Sequence, residues 1–322
     1  MSAIPTASVV IATRDRPRTL AACLESLTAL EAPPGGFEVV VVDDGGRESL
    51  DGALDAVADR FDARLVRQAR PAGPAAARNL GARRARGRVL AFTDDDCRVG
   101  PLWLAALVAA IDAAGGSVAA GGATLAGHPA NRWARASATV EAAVYAHENR
   151  GGAAARFLTP KNLAVPAAGF AAVGGFDPTF RWSEDRDFCD RWREGDRGMA
   201  YVPRAIVRHD RPLRARDFWR QHLEYGRGAH RYHRTRRARG RGGLRPDPRF
   251  YARLLALSAS APGSPARRLG DTALVTAAQL ATVAGYFAAR RAGTPTSEGG
   301  STFPSASASS RARLSASGRA AR

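Results

Sequence analysis

The 322-residue sequence predicts an α/β fold, with a mostly parallel, twisted sheet flanked by helices and a helical C-terminal extension. Strand-like and helix-like hydrophobic periods alternate through the first 122 residues. The strand-like runs are apolar throughout, which indicates strands covered on both faces. Polar residues follow several of these runs, and ligands of such sheets bind at the carboxyl ends of the strands.

The predicted elements follow one another in a regular order. Buried strands are predicted at residues 8–12, 39–42, 64–66, 89–92 and 118–120. Apolar residues at helical spacing predict helices over residues 20–30, 50–61 and 104–111, and a further helix is predicted over residues 75–86. The segment 123–200 is less regular and rich in Gly and Pro. The strand-end rule therefore selects the polar residues that follow residues 12, 42 and 92.

The C-terminal third is basic and helix-forming. The chain has 48 basic and 30 acidic residues, and Lys161 is its one lysine. Sixteen arginines lie in residues 204–253. This surplus predicts attraction to a polyanion: nucleic acid, an anionic membrane surface or a phosphorylated substrate. The uncharged stretch 272–289 has about the minimum length of a membrane span, but its Ala and Thr content favours a packed or interfacial helix.

Cysteine usage and the N-terminus bear on location. Cys23, Cys97 and Cys189 are too far apart in sequence for a zinc motif, and three is an odd number. Free thiols in a reducing compartment are therefore expected. The N-terminus shows no signal-peptide pattern. These observations predict a cytoplasmic protein, with peripheral attachment to the inner face of the cell membrane through the basic and apolar C-terminal helices.

Three consecutive carboxylates follow the fourth predicted strand. Asp94, Asp95 and Asp96 repel one another unless something positive neutralises them. A divalent cation such as Mg²⁺ or Mn²⁺ can do so, because it binds one or two carboxylates together with phosphate oxygens. The alternative is an acidic turn that caps the next helix. The residues alone leave both interpretations open.

The order of the motifs resembles one enzyme family. The segments VVIATRDRPRTLAACLESL, FEVVVVDDGG, GPAAARNLGARRARGRVLAFTDDD and VGGFDPTFRWSEDRDFCDRWREGDRGMAYVPRAIVRHD are similar to family 2 glycosyltransferases of the GT-A (Rossmann-like) fold. The resemblance covers about residues 6–235. It implies a GT-A domain over residues 1–240, with a nucleotide-sugar-binding half (1–122) and an acceptor half (123–240). A basic and apolar helical extension (241–290) and a disordered tail (291–322) would follow.

The resemblance implies a nucleotide-sugar site at the strand ends. Asp43 or Asp44 would recognise the base, although a turn before Gly45 accounts for one of them. Arg78 would neutralise the diphosphate, the alternative being a helix arginine on the surface. The predicted nucleotide-sugar contacts are Thr13, Arg14, Asp43, Asp44, Arg78, Asn79, Asp94 and Asp95.

The same resemblance implies a metal site and a catalytic base. Asp94 and Asp96 match the outer positions of the family's DxD motif and would bind Mn²⁺ or Mg²⁺. His209, 24 residues after Asp185, would be a further ligand, although a histidine beside an aspartate is often only a hydrogen-bonded surface residue. Asp185 would take the proton of the acceptor hydroxyl. The alternative for Asp185 is a helix N-terminus, where acidic residues are favourable. Residues near the donor or acceptor sugar would be Asn162, Trp182 and Glu184.

The predicted function is transfer of a sugar, with inversion, from a nucleotide-diphosphate sugar to a glycan or lipid-linked hydroxyl acceptor in cell-envelope or exopolysaccharide biosynthesis. One candidate base and no obvious nucleophile pair favour a single displacement. A nucleotidyltransferase is an alternative, but the segment ATRDRPRTL after the first strand has no glycine. A nucleic-acid-binding protein is a second alternative, although no recognised motif is present and no nucleic acid is expected as a partner. An inactive protein of the same fold is a third, but every expected acid is present.

Overall fold

The computed structural model describes residues 4–149, 154–195, 197–244 and 246–293. The strands are β1 Ala7–Thr13, β2 Phe37–Asp43, β3 Asp62–Arg67, β4 Val89–Asp94, β5 Cys97–Val99, β6 Val118–Ala126, β7 Leu163–Pro166 and β8 Gly198–His209. The helices are α1 Pro17–Leu27, α2 Asp51–Asp55, α3 Pro74–Arg84, α4 Trp103–Ala113, α5 Arg132–Glu148, α6 Ala167–Val173, α7 Glu184–Glu194, α8 Ala215–Ala238, α9 Pro248–Ala259 and α10 Pro265–Arg291. The disordered tail was predicted to begin at residue 291, but Arg291 is the last residue of α10; residues 294–322 lie outside the described residues.

The strands form one sheet in the order β3-β2-β1-β4-β7-β6-β8-β5. Strands β1 to β4 are parallel, β6 and β8 are parallel to each other, and β7 and β5 run antiparallel to their neighbours. The predicted mostly parallel sheet is therefore confirmed. In this register Thr13 pairs with Asp43, and Ala12 pairs with Asp94. The polar ends of three central strands consequently meet at one edge of the sheet.

Both faces of the sheet are covered, as the apolar strands predict. Residues 39–42 of β2 have no exposed surface. One face packs against apolar residues of α1 and α4, including Leu24 and Trp103. The other packs against an aromatic cluster in which the ring centroids of Phe176 and Phe188 lie 4.9 Å apart. Because burial on both sides fixes the strands, their carboxyl ends form a rigid edge for a site.

Two helices, α2 and α3, end earlier than the sequence predicts. Helix α2 ends at Asp55, yet Val57 stays buried because a turn, closed by its own N–H to the carbonyl of Leu54, continues the spacing. Helix α3 ends at Arg84 because the N–H of Arg86 donates to the carboxylate of Glu38 at 2.6 Å and directs the chain into β4. A local turn therefore follows the end of α2, whereas a hydrogen bond to the distant Glu38 sets the end of α3.

The C-terminal helices pack on the second half of the sheet domain. Helices α8 and α10 touch through their backbones at two glycines. A Cβ atom at Gly226 would lie 1.9 Å from the carbonyl oxygen of Thr282, and one at Gly285 would lie 2.0 Å from that of Leu223. Arg135 of α5 also forms an ion pair with Asp271 of α10 at 2.6 Å. The predicted helical extension is thus present and is docked onto α5 and α8.

Candidate active site

The three carboxylates lie at the sheet edge and do not cap a helix. Asp94 is the last residue of β4, and the next element is the short strand β5. The following helix, α4, begins only at Trp103 and has no side-chain cap. The helix-cap alternative for the acidic run therefore does not apply. What neutralises the carboxylates must come from elsewhere in the fold.

Asp95 and Asp96 are buried and are held by a threonine and an arginine. The hydroxyl of Thr13 donates to Asp95 at 2.6 Å, and Arg16 donates to Asp95 at 2.9 Å and to Asp96 at 3.3 Å. Burial raises the pKa of Asp95 to about 7, and the charge of Asp96 adds to this despite Arg16. Burial also opposes ionisation of Asp96, but the charges of His209 and Arg16 outweigh it and lower its pKa. The buried carboxylates at this edge therefore require nearby positive charge to remain ionised.

Strand pairing brings His209 to the acidic run. Strand β5 pairs with β8 so that Cys97 lies opposite His209. As a result, the Nε2 atom of His209 lies 3.3 Å from Oδ1 of Asp96. The N–H of Asp210 donates to the backbone carbonyl of Asp96 at 2.7 Å and locks this arrangement. The structure thus joins two of the three residues that the resemblance implies as metal ligands.

The donor set has the chemistry of a Mn²⁺ or Mg²⁺ site that shares its cation with a substrate. Carboxylates and an imidazole suit Mn²⁺, and such a site needs few protein ligands when phosphate oxygens complete the shell. In the part of the chain that the structure describes, no three Asp, Glu, His or Cys side chains are grouped as a complete metal cage. Asp94, whose side chain is 29 % exposed, and the Asp96–His209 pair fit an open site of this kind.

Arg78 links the two halves of the predicted domain. It is 6 % exposed, and it donates to Asp94 at 2.6 Å and to Glu184 at 3.0 Å. Burial opposes its charge, but the two carboxylates dominate and raise its pKa. Arg78 is therefore not a surface arginine. It joins the end of β4, in the first half, to the start of α7, in the second.

Glu184 and Asp185 stand at the N-terminus of α7. The preceding Ser183 has φ = 69°, and the close approach of α8 to this turn requires Gly228, since a Cβ there would lie 2.7 Å from Cβ of Trp182. The carboxylate of Asp185 accepts the N–H of Arg186 at 2.8 Å. Burial raises the pKa of Glu184 to about 7, with a further contribution from the charge of Asp185, and burial also raises the pKa of Asp185. The position of Asp185 at the N-terminus of α7 is therefore compatible with a role as a base.

The other predicted nucleotide contacts shape loops around the edge. Asp44 accepts hydrogen bonds from Gln68 and from the N–H groups of Ala72 and Gly73, and so holds the loop before α3. Asp43 accepts from the N–H of Gly46 at 2.8 Å, as a turn aspartate does. Arg14 lies half-buried just after β1. These residues surround the site. Both carboxylate oxygens of Asp44 accept hydrogen bonds from other parts of the protein.

Two of the predicted asparagine contacts are engaged by protein partners. The amide of Asn79 pairs in both directions with the backbone of Phe176, at 2.7 and 2.9 Å. Asn162 has no exposed surface; it accepts from the indole of Trp103 and donates to the carbonyls of Ala123 and Ala205. Asn162 therefore has no N–H group left for a sugar, whereas Asn79 uses only one of its two N–H groups in the pair with Phe176. Asn162 instead ties three parts of the sheet domain together.

We expect Asn162→Leu to lower the free energy of unfolding by about 3–5 kcal/mol, because it leaves one buried donor and two buried acceptors without partners. Urea unfolding measures this loss. At a temperature where the variant stays folded, its KM for the donor should match that of the wild type. An unchanged unfolding free energy with a raised KM would instead support the sugar contact implied by the sequence resemblance.

Several residues of the site could not be identified from the sequence. Arg16 is one of four arginines in residues 14–18 and 47, and spacing does not show which of them pairs with the carboxylates. Tyr225 packs edge-on against Trp182 with ring centroids 5.6 Å apart. Lys161 forms a half-buried ion pair with Glu141 at 2.8 Å. The two tertiary pairs have no local signal, although the rarity of lysine in this chain could have drawn attention to Lys161.

Comparison with known proteins shows the family to which the chain is similar. The sequence model of glycosyl transferase family 2 matches residues 8–176. The pre-mycofactocin glycosyltransferase of Mycobacterium tuberculosis is 29 % identical over 199 residues, which is 59 % of this chain and 41 % of that protein. The succinoglycan biosynthesis protein ExoO of Rhizobium meliloti is 35 % identical over 116 residues, 36 % of this chain and 32 % of that protein. The chain thus spans less than half the length of these relatives.

A solved structure shares the fold over most of the chain. The mannosyltransferase PcManGT from Pyrobaculum calidifontis, solved with GDP-Man and Mn²⁺, superposes with a TM-score of 0.59 at 18 % identity. The match covers 89 % of this chain and 86 % of that one. At this identity the likeness establishes a shared GT-A architecture.

Proposed function

The chain belongs to glycosyl transferase family 2 and is a glycosyltransferase, and we propose that it moves a sugar from a nucleotide-diphosphate donor to a hydroxyl acceptor with inversion at the anomeric carbon. Membership of this family sets aside the nucleotidyltransferase and nucleic-acid-binding alternatives. The observation that carries the proposal is the single edge at which Asp94, Asp96 and His209 lie, connected through Arg78 to Glu184 and Asp185. A site for diphosphate and a site for a base are thereby adjacent.

The donor is proposed to bind along the ends of β1, β2 and β4. Asp43 is the better candidate for the base contact, because Asp44 already accepts three hydrogen bonds. Asp94, Asp96 and His209 would hold a divalent cation, which supplies Lewis-acid stabilisation of the leaving diphosphate. Arg78 and Arg16 place two further positive charges at this edge. Residues 1–122 thus supply the donor half and residues 123–240 the acceptor half.

The acceptor is proposed to meet Asp185 at the start of α7. Asp185 takes the proton of the attacking hydroxyl, and Glu184 is held in place by Arg78. Trp182, half-buried with Tyr225 against it, offers an aromatic edge beside this base. No second carboxylate is needed as a nucleophile when the hydroxyl attacks directly. This arrangement supports a single displacement, and hence inversion; retention of configuration in the product would contradict it.

The comparisons support the donor and the process in outline. PcManGT was solved with GDP-Man and Mn²⁺, which supports a nucleotide-diphosphate sugar and a divalent cation for this chain. The name of ExoO, a succinoglycan biosynthesis protein, supports a role in polysaccharide synthesis, and we propose a glycan or lipid-linked acceptor in cell-envelope or exopolysaccharide biosynthesis. The three cysteines are free and buried, which supports a reducing, cytoplasmic location.

We expect the protein to release a nucleoside diphosphate, rather than pyrophosphate, from its donor when Mn²⁺ is present, and to lose this activity with a chelator. A panel of nucleotide sugars assayed for diphosphate release identifies the donor.

His209→Ala should raise the Mn²⁺ concentration for half-maximal rate by about tenfold or more. His128→Ala is the matched control, because His128 pairs with Asp210 instead of Asp96. Equal metal dependence of the two variants, or full activity with chelator, would argue against the metal site.

A further inference from the structure

Helix α10 presents an apolar stripe to solvent. The exposed large apolar side chains of this helix are Leu269, Leu280, Val283 and Phe287, with exposed fractions of 74, 65, 46 and 48 %. Six exposed positions recur at steps of four and three residues: 269, 273, 276, 280, 283 and 287. This spacing puts them on one side of the helix along roughly 27 Å. We call these six positions the α10 stripe.

The α10 stripe is bordered by positive charge and carries no negative charge. The one acidic residue of α10 is Asp271, which is 5 % exposed and paired with Arg135 on the opposite, packed side. Arg267 and Arg268 precede the stripe, and Arg290 and Arg291 follow it. All four arginines are exposed. Beyond α10, residues 294–322 contain four arginines and one glutamate.

The packing of α10 argues against a transmembrane helix. Among the described residues, α10 is the helix with the length and composition of a membrane span. Its other face, however, touches the backbone of α8 at Gly226 and Gly285, so that spanning would require it to separate from α8. Helix α8 carries arginines from Arg216 to Arg237 and cannot follow it into hydrocarbon. An apolar face on a docked helix instead suits the interfacial region of a bilayer.

The arginines at the two ends of the α10 stripe also indicate what kind of partner binds to it. If two copies paired through it in antiparallel fashion, Arg290 and Arg291 of one would face Arg267 and Arg268 of the other. A parallel pair would bring Arg290 and Arg291 against themselves, and the face has no carboxylate to offset either arrangement. The basic tail of the chain meets the same repulsion. Anionic lipid head groups complement these arginines, while the acyl-chain boundary accepts the apolar side chains.

We propose that the α10 stripe inserts into the surface of an anionic membrane, with α10 lying parallel to it and its terminal arginines bound to lipid head groups. The protein attaches peripherally, by one face of a helix that stays packed on α8. This binding requires no nucleotide sugar, so it is independent of the proposed transfer reaction. It also brings the enzyme to the surface from which a lipid-linked acceptor would be taken.

Co-sedimentation of the full chain with vesicles tests the proposal without any substrate. The wild type should bind vesicles of equimolar phosphatidylglycerol and phosphatidylcholine far better than vesicles of phosphatidylcholine alone. The double variant Leu280→Glu, Phe287→Glu should bind the mixed vesicles at least about tenfold more weakly, with an unchanged unfolding transition because both positions are exposed. Ile4→Glu is the matched control, because Ile4 is 79 % exposed on another part of the fold and should bind as the wild type does.

Three results would overturn the proposal. One is equal binding of the wild type and the double glutamate variant to mixed vesicles. Another is equal binding of the wild type to neutral and anionic vesicles. The third is a dimer of the wild type in light scattering that the double variant converts to a monomer, since this would assign the stripe to a second copy. Loss of binding in Arg290→Ala, Arg291→Ala would support the assigned role of the arginines.

Discussion

Replacement of Asp185 by Asn is expected to lower kcat by about 10²–10⁴-fold, because the amide cannot accept the proton of the acceptor hydroxyl. The two side chains have nearly the same shape, so the fold and the KM for the donor should change little. Steady-state measurement of diphosphate release with acceptor present gives kcat. Calorimetric titration with the nucleotide shows whether the donor site is intact.

The pH dependence of the wild type provides a second test of the same base. Burial raises the pKa of Glu184 to about 7 and also raises that of its neighbour Asp185, so the pair keeps a proton until near neutrality. The rate of transfer should therefore rise with pH through about 7 and then level off. For stability the sign is opposite: a carboxyl whose pKa is raised above 4.5 favours the folded state less as pH rises from about 4.5 to about 7.

The control for Asp185 lies on the same helix. Glu194→Gln removes one charge from the last turn of α7, where the side chain is 29 % exposed and paired with Arg241. This variant should keep the wild-type rate and the wild-type pH profile. If the rate of Asp185→Asn stays within a few fold of the wild-type rate, or still rises with pH through about 7, then another group takes the proton. The assignment of the base would then be wrong.

Replacement of Arg78 by Ala should damage stability and turnover together. It leaves Asp94 and the buried carboxylate of Glu184 without their shared partner, and removal of one member of a buried pair costs about 3–5 kcal/mol. The transfer rate should fall by about 10²-fold or more, because the diphosphate loses a positive charge and Glu184 loses its anchor. Urea unfolding and steady-state kinetics measure the two effects.

The variant Arg78→Lys separates charge from geometry. An ammonium group keeps the charge but lacks the planar fork that reaches Asp94 and Glu184 at the same time. It should recover much of the lost stability and little of the rate. Arg88→Ala is the control, because Arg88 forms an exposed pair with Asp112 and its loss should have little effect on either quantity. A rate near that of the wild type in Arg78→Ala would exclude Arg78 from the site.

The sheet and its polar edge could be predicted because both follow from local pattern and one topological rule. Apolar runs at strand length specified β1, β2 and β4, and the parallel arrangement then required Asp43 and Asp94 to end at the same edge. The approach of His209 to Asp96 was implied only by the family resemblance. Its physical cause is the antiparallel pairing of β5 with β8, which no local pattern shows.

Partners that are distant in sequence account for what could not be predicted. Asn162 was implied to contact a sugar, yet its amide meets Trp103, Ala123 and Ala205, which come from three different elements. Arg16 could not be singled out among neighbouring arginines, because only the folded position of Asp95 distinguishes it. The lengths of α2 and α3 were set by turns and by the carboxylate of Glu38, which periodicity does not encode.

The close contact of α8 and α10 has a consequence for which acceptors the enzyme can reach. Gly226 of α8 meets α10, and Gly228, two residues later, meets the turn that precedes Glu184 and Asp185. One helix thus connects α10, which carries the stripe proposed to face lipid, to the turn before the proposed base, and it would hold that base at a constant height above the bilayer. The fold would then select acceptors by length. An acceptor whose hydroxyl extends to that height would be glycosylated, and a shorter or longer acceptor would not.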